Sequence, residues 1–284
     1  MTLSNPPTAR QRRIGSALRN AREGHNLTVA TVAGRFGRSQ GWMSMVENGL
    51  HPIAVEELGN LLDFYRIPDG PLRTSLLHLA THRPGTWERV WEGRISAAAL
   101  DLASLEEDAA EIRNFESNIV PGLLQTPEYT RALIALGPAK HSRYVKPLVD
   151  FRQSRQRLLN RPDPPRYVPL IAEAVLHNQV GDDPAIMRAQ IRRLAQVAQF
   201  DHVDLRVLPR TASGYLSLIT PCLLISLRPP GQLTISVGDQ FTKSVFVEDE
   251  EEVSSHEEIF ELLLSATLSR AASLNLIIGI ASRL

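Results

Sequence analysis

The segment Leu27–Gly49, LTVATVAGRFGRSQGWMSMVENG, leaves few folds open. It carries two short apolar stripes at helical spacing: Val29, Val32, Ala33 and Phe36, then Met43 and Val46. Thr28 and Ser39 stand where a side-chain oxygen can accept an early helical N–H, and Gly37 and Gly49 stand where helices end. With Met43 and Val46 turned inward, Gln40, Gly41, Ser44 and Asn48 share the opposite face of the second helix. Two short helices joined by a tight glycine-containing turn form a helix-turn-helix unit.

The flanking sequence supplies partners for this pair. Ile14, Leu18 and Ala21 form one stripe of a preceding helix that Gly24 and Asn26 stop. A fourth helix runs from Val55 to about Tyr65, and a fifth from Pro71 to about Ala80 after the turn RIPDG. The chain therefore predicts an arm over residues 1–9 and an all-α five-helix domain over 10–80. A linker over 81–94 follows, broken by Pro84 and Gly85, with Trp87 and Trp91 spaced to dock it. Residues 95–284 mix periods. Ala109, Ile112 and Phe115 predict a helix to about Ser117. Thr126-Pro127 and Asp183-Pro184 open two more, and VDFRQSRQRLL another. YVPLIAEAVLHNQVG starts as a strand and turns helical; VDLRVLP, CLLISL, LTISV and SVFVE read as short strands, and two helices end the chain. The predicted fold is multidomain: an all-α helix-turn-helix domain, then an α+β domain.

The net charge of zero is unevenly spread. Residues 1–50 hold seven Arg and two Glu, and the remainder balances them with a dense acidic run at 248–252. The basic segment is either a polyanion-binding surface or a solvated tail. The acidic run would either repel DNA or attract a basic partner. Arg152, Arg155 and Arg157 form a basic group, and Glu106, Glu107, Asp108 and Glu173 an acidic one; solvated faces are the simpler reading of both.

Enzyme chemistry finds no foothold, and neither a catalytic residue nor a cofactor is expected. HEEIF at 256–260 has Phe260 where a zinc motif needs a second His, the eight His are scattered, and GRFGRSQG is a helix-turn-helix turn rather than a phosphate loop. The single Cys222, in an apolar run, reads as a small hydrophobe, and no metal site is expected. The amino terminus has no apolar signal stretch, and CLLISL and LNLIIGIA are too short to span a bilayer. A cytoplasmic, nucleoid-associated protein with no membrane contact is expected.

Leu27-Thr28, Ala33-Gly34-Arg35-Phe36-Gly37, Ser39-Gln40 and Val46-Glu47-Asn48-Gly49, in this order, resemble the lambda-repressor-like (XRE-family) helix-turn-helix over roughly residues 10–66. The resemblance implies that Gln40 bonds an adenine edge in the major groove and that Ser44 and Met45 face the groove farther along. It implies that Thr28 and Asn48 bond phosphates, with Arg38, Ser39 and Gly41 completing the DNA-facing set. It also implies that Arg22 and Glu47 form an internal ion pair. Two positions depart from the pattern. Val29 replaces a frequent Gln, and Met45 replaces a polar or basic residue, leaving it to meet a thymine methyl or to pack. Trp42 is read as packing over the helix-turn-helix core.

VPGLLQTPEYTRALI, FRQSRQRLL, IAEAVLHNQVG, MRAQIRRLA and VDLRVLP resemble the antitoxin-like effector domain of actinomycete XRE regulators. The resemblance implies a transcription factor that binds double-stranded DNA, often with a small protein encoded nearby as partner. A homodimer is the physical expectation, because one helix-turn-helix contacts few bases. The alternative is an antitoxin-like adaptor that sequesters a small protein and binds DNA mainly for autoregulation.

Overall fold

The computed structural model describes residues 6–83, 85–137, 145–212, 219–231, 233–240, 243–247 and 249–283. Residues 1–5 of the expected arm and Glu248 of the acidic run lie outside them. Five helices come first: α1 (Ala9–Gly24), α2 (Val29–Arg35), α3 (Gln40–Glu47), α4 (Val55–Phe64) and α5 (Pro71–Thr81). Their apolar stripes close one core in which Leu18, Val32, Met43, Leu58, Leu62 and Leu76 are fully buried. A short α6 (Thr86–Arg89) and α7 (Ala97–Glu107) lead into the larger domain. Trp87 stacks on Phe151 at 5.9 Å and Trp91 meets the same ring edge-on at 5.4 Å, so this connection is fastened to the larger domain.

That domain is a mixed sheet of six described strands with helices on both faces. Its strands are β1 (Ala109–Glu116), β2 (Arg166–Ala172), β3 (Arg206–Leu208), β4 (Cys222–Leu227), β5 (Thr234–Gln240) and β6 (Lys243–Val247), in the order β3-β2-β1-β4-β5-β6. β1, β2 and β3 are parallel; β4, β5 and β6 join antiparallel. The helices are α8 (Pro127–Leu136), α9 (Val145–Arg155), α10 (Pro184–Val197), α11 (Glu250–Ala266) and α12 (Arg270–Ala281). Tyr167, Ile171, Val207 and Ile225 share a core with Ile191 and Leu194 of α10 and Ile277 of α12. Phe115, Leu170 and Leu224 meet Phe260 and Leu263 of α11 in a second core. The all-α domain is thus followed by an α+β one. Among the described residues no single helix is long and apolar enough to cross a membrane.

Two expectations are corrected. Residues 109–116 form β1, not a helix: the strand sits between β2 and β4, with Ile112 buried in one core and Phe115 in the other. A strand buried on both faces shows apolar residues at any spacing, and three of them three apart imitate a helix. The acidic and basic groups are solvated only in part: the Arg157, Glu107 and Asp108 side chains are 48, 39 and 49 % exposed, but Arg155 and Glu106 pair in the interior. Arg155 holds Glu106 through two bonds of 2.8 and 2.6 Å with both side chains buried, Arg157 bonds Glu107 at 3.0 Å, and Arg152 bonds Gln125 at 2.9 Å.

The start of α1 bonds to α7 and to Asp108 at its end. The Ala9 N–H donates to Asp101 Oδ2 at 2.8 Å. Arg10 donates to Ser104 and to Asp108, at 2.6 Å to the latter carboxylate, and His82 lies 3.5 Å from it. Burial pushes the Asp101 carboxyl up, against the pull of the Ala9 N–H and Arg10. The folded state therefore holds that proton more tightly than the unfolded one, and stability falls as pH rises above the ordinary value of 3.8. Asp101→Asn lacks this proton. Its melting temperature relative to the parent should shift in the variant's favour as pH rises from about 3 to about 6. A pH-independent difference in thermal melts would show that Asp101 is not buried as described.

Candidate nucleic-acid interface

The helix-turn-helix is built from local capping. The Thr28 hydroxyl accepts from Thr31 N–H at 3.1 Å and starts α2. Gly37 takes a left-handed φ of +62°, and the next N–H, from Arg38, returns to Ala33 O at 2.9 Å. That bond closes the end of α2 and aims the chain into α3. The Ser39 hydroxyl then accepts from Trp42 N–H at 3.1 Å. Ser39 and Thr28 thus act as caps at exposed positions, and the Thr28 hydroxyl also shares a hydrogen bond of 2.8 Å with the Thr31 hydroxyl.

α3 turns Met43 and Val46 into the core and shows Gln40, Gly41, Met45 and Asn48 to solvent, with Ser44 half-buried beside them. A Cβ on Gly41 would meet nothing closer than Ser39 Oγ at 3.9 Å, so this end of the helix is open for close approach. Gln40 is exposed at the first turn of α3, where the backbone N–H groups point outward. Met45 is 43 % exposed, on the outward side of α3. Asn48 is held: its amide donates to Ser44 O at 2.7 Å, and its oxygen accepts from Arg19 at 2.7 Å. Trp42 packs half-buried against the core, with the Arg38 guanidinium 5.2 Å over its ring. Arg38 also pairs with Glu57.

Glu47 lies behind this face. Its carboxylate accepts from Arg22 Nε at 2.7 Å and from a second Arg22 nitrogen at 3.0 Å, and Arg22 also donates to Leu27 O at 2.9 Å. The hydrogen bond to Glu47 raises the Arg22 pKa, burial opposes it, and the charge of Glu47 adds to the rise.

The charge of the first fifty residues is spent differently from the sequence reading. Arg10 is buried against Asp108, Arg12 lies over Phe246, Arg13 pairs with Glu250, and Arg22 is internal. Only Arg19, Arg35 and Arg38 remain around α2 and α3. Glu250 of the acidic run has its basic partner within the chain. Sequence reasoning missed Glu57, Arg19 and the whole α1 junction; Glu57 lies one helix beyond the motif and carries no local signal. Cys222 is half-buried in β4, and burial pushes its thiol up to about 11, a poor nucleophile. Among the described residues no group of three or more His, Cys, Asp or Glu side chains could hold a metal ion.

Residues 13–76 match the helix-turn-helix domain family. Residues 99–279, well over half the chain, match a family described as a domain of unknown function, DUF5753. The chain belongs to the DUF5753 family. Neither the curated proteins nor the solved structures hold a match to it. The helix-turn-helix domain suggests a DNA-binding regulator, while the DUF5753 description carries no activity.

Proposed function

We propose that this protein is a sequence-specific transcriptional regulator of the XRE type, of the kind found in actinomycetes, binding double-stranded DNA as a homodimer in the cytoplasm. The observation that carries the reading is the exposed face of α3. Gln40 is free at its first turn, Gly41 leaves room for a base edge, and Arg35 and Arg38 flank it. A Gln at that position can bond an adenine bidentately, while Thr28 and Asn48, exposed on either side, suit phosphates. The larger domain senses a signal or recruits a small protein, and performs no catalysis.

The test is a binding titration against the DNA upstream of the protein's own gene, at two salt concentrations, with unrelated DNA as competitor. Specific binding survives the competitor and weakens with salt, and its footprint gives half-sites about one helical turn apart. Gln40→Ala should lose about 1–3 kcal/mol on the specific site and almost nothing on random DNA. Equal losses on both would make Gln40 a positioning group and remove it from base reading.

A further inference from the structure

A guanidinium from α1 stands at the far end of the exposed face of α3. Arg19 donates through Nη2 to Asn48 Oδ1 at 2.7 Å and to Glu47 O at 3.4 Å, and both acceptors are uncharged. Glu47 Oε2 is 3.9 Å from Arg19 Nε, beyond hydrogen-bond reach, and Arg22 already bonds both Glu47 carboxylate oxygens. Arg19 Nη1 makes no hydrogen bond among the described residues, and the side chain is 41 % exposed. Arg38 differs: its Nε and Nη2 both bond the Glu57 carboxylate, which it must give up to serve another anion.

Asn48 fixes where the Arg19 charge points. Its Nδ2 donates to Ser44 O at 2.7 Å, which sets the amide with Oδ1 toward Arg19. Gln40, Ser44 and Asn48 recur every four residues, so they lie on one stripe of α3. Eight residues of helix span about 12 Å. In helix-turn-helix docking the first turn of the second helix meets base edges, and the major groove is about 12 Å wide. With Gln40 at the bases, the Asn48 end of the stripe comes to the sugar-phosphate wall, and Arg19 is beside it.

We propose that Arg19 is a phosphate anchor of this interface, donating from Nη1 to a backbone oxygen of double-stranded DNA, and that Asn48 acts through it as a positioning residue. Arg19 has this role only if α3 enters the groove as proposed above. It supplies affinity and register on any sequence, while base choice stays with Gln40. The contact ties α1 as well as α3 to the duplex.

The experiment titrates the full chain against a random-sequence duplex and against its own upstream DNA, at about 50 and about 200 mM salt. One phosphate contact contributes about 0.9 to the salt slope, or about 3.5-fold in affinity over a fourfold change of salt. Arg19→Gln should bind both duplexes about tenfold more weakly at the lower salt and about threefold more weakly at the higher. Arg19→Lys also lacks the guanidinium but keeps the charge, and should retain the parent slope. Asn48→Ala should weaken binding a few-fold with the slope intact, and should cost less in the Arg19→Gln background than alone. Thermal melts check that each variant is folded. A parent-like slope in Arg19→Gln, or equal slopes in Arg19→Gln and Arg19→Lys, overturns the anchor. An Asn48→Ala cost that is the same in both backgrounds overturns the positioning role. The two duplexes keep this question apart from the sequence-specific function. Binding to both without preference removes that function and still reports on Arg19; preference for the upstream DNA with an unaltered Arg19→Gln slope leaves the function standing and removes the anchor.

Discussion

Glu47→Gln is expected to destabilise the helix-turn-helix domain by about 3–5 kcal/mol, the usual cost of stranding one member of a buried ion pair. Both side chains are nearly inaccessible, at 3 % for Glu47 and 11 % for Arg22. The pair makes two short parallel bonds, and Arg22 also clamps Leu27 O at the α1–α2 turn. Without the carboxylate charge the guanidinium stays desolvated and only partly compensated by Glu23 at 3.1 Å. A loss of this size is a large share of the 5–15 kcal/mol that holds a typical domain together. Arg22→Ala should also melt early. Arg22→Met with Glu47→Leu should recover much of the loss, because an apolar pair of similar volume carries no desolvation penalty. A double-mutant cycle on thermal melts separates these terms. Below its melting temperature Glu47→Gln should bind DNA within a few-fold of the parent, since Glu47 faces the core. Melting temperatures unchanged in both single variants would mean the pair contributes nothing to the fold.

The five amino-terminal helices were legible because their punctuation is local. Thr28, Ser39, Gly37 and Gly49 act within four residues of themselves, and the structure uses each as its chemistry dictates. Strands β4 and β5 read off as short apolar or β-branched runs rather than by alternation, since Leu224 and Ile225 are both buried, as are Ile235, Ser236 and Val237. β1 did not read off, because a strand with helices on both faces loses its two-residue period. The charge pairs were illegible for another reason. Arg155 finds Glu106 and Arg10 finds Asp108 only after the sheet and α7 have formed, and nothing near any of the four residues signals its partner. The basic excess of the first fifty residues therefore overstated the surface available to a polyanion.

Gly15→Ala sets two effects against each other, and the geometry decides between them. Alanine in the middle of a helix is favoured over glycine by roughly 0.5–1 kcal/mol. A Cβ at Gly15, however, would stand 2.6 Å from both Val46 O and Glu47 O and 2.8 Å from Glu47 C, all backbone atoms of α3. Backbone cannot rotate aside, so α1 and α3 must part, and overpacking of this kind costs about 1–3 kcal/mol. The clash outweighs the propensity gain, and a net loss of about 1–2 kcal/mol, or several degrees of melting temperature in a domain of this size, is expected. DNA affinity should suffer more than stability. The displaced element is α3, the proposed recognition helix, while Thr28 stays on α2, so the proposed Gln40 and phosphate contacts can no longer be satisfied together. Gly24→Ala is the matched control: it ends the same helix, has nothing within 4 Å of its Cβ position, and should be neutral or slightly stabilising. If Gly15→Ala melted and bound DNA like the parent, the close seating of α3 on α1 would not be what holds Gln40 in place.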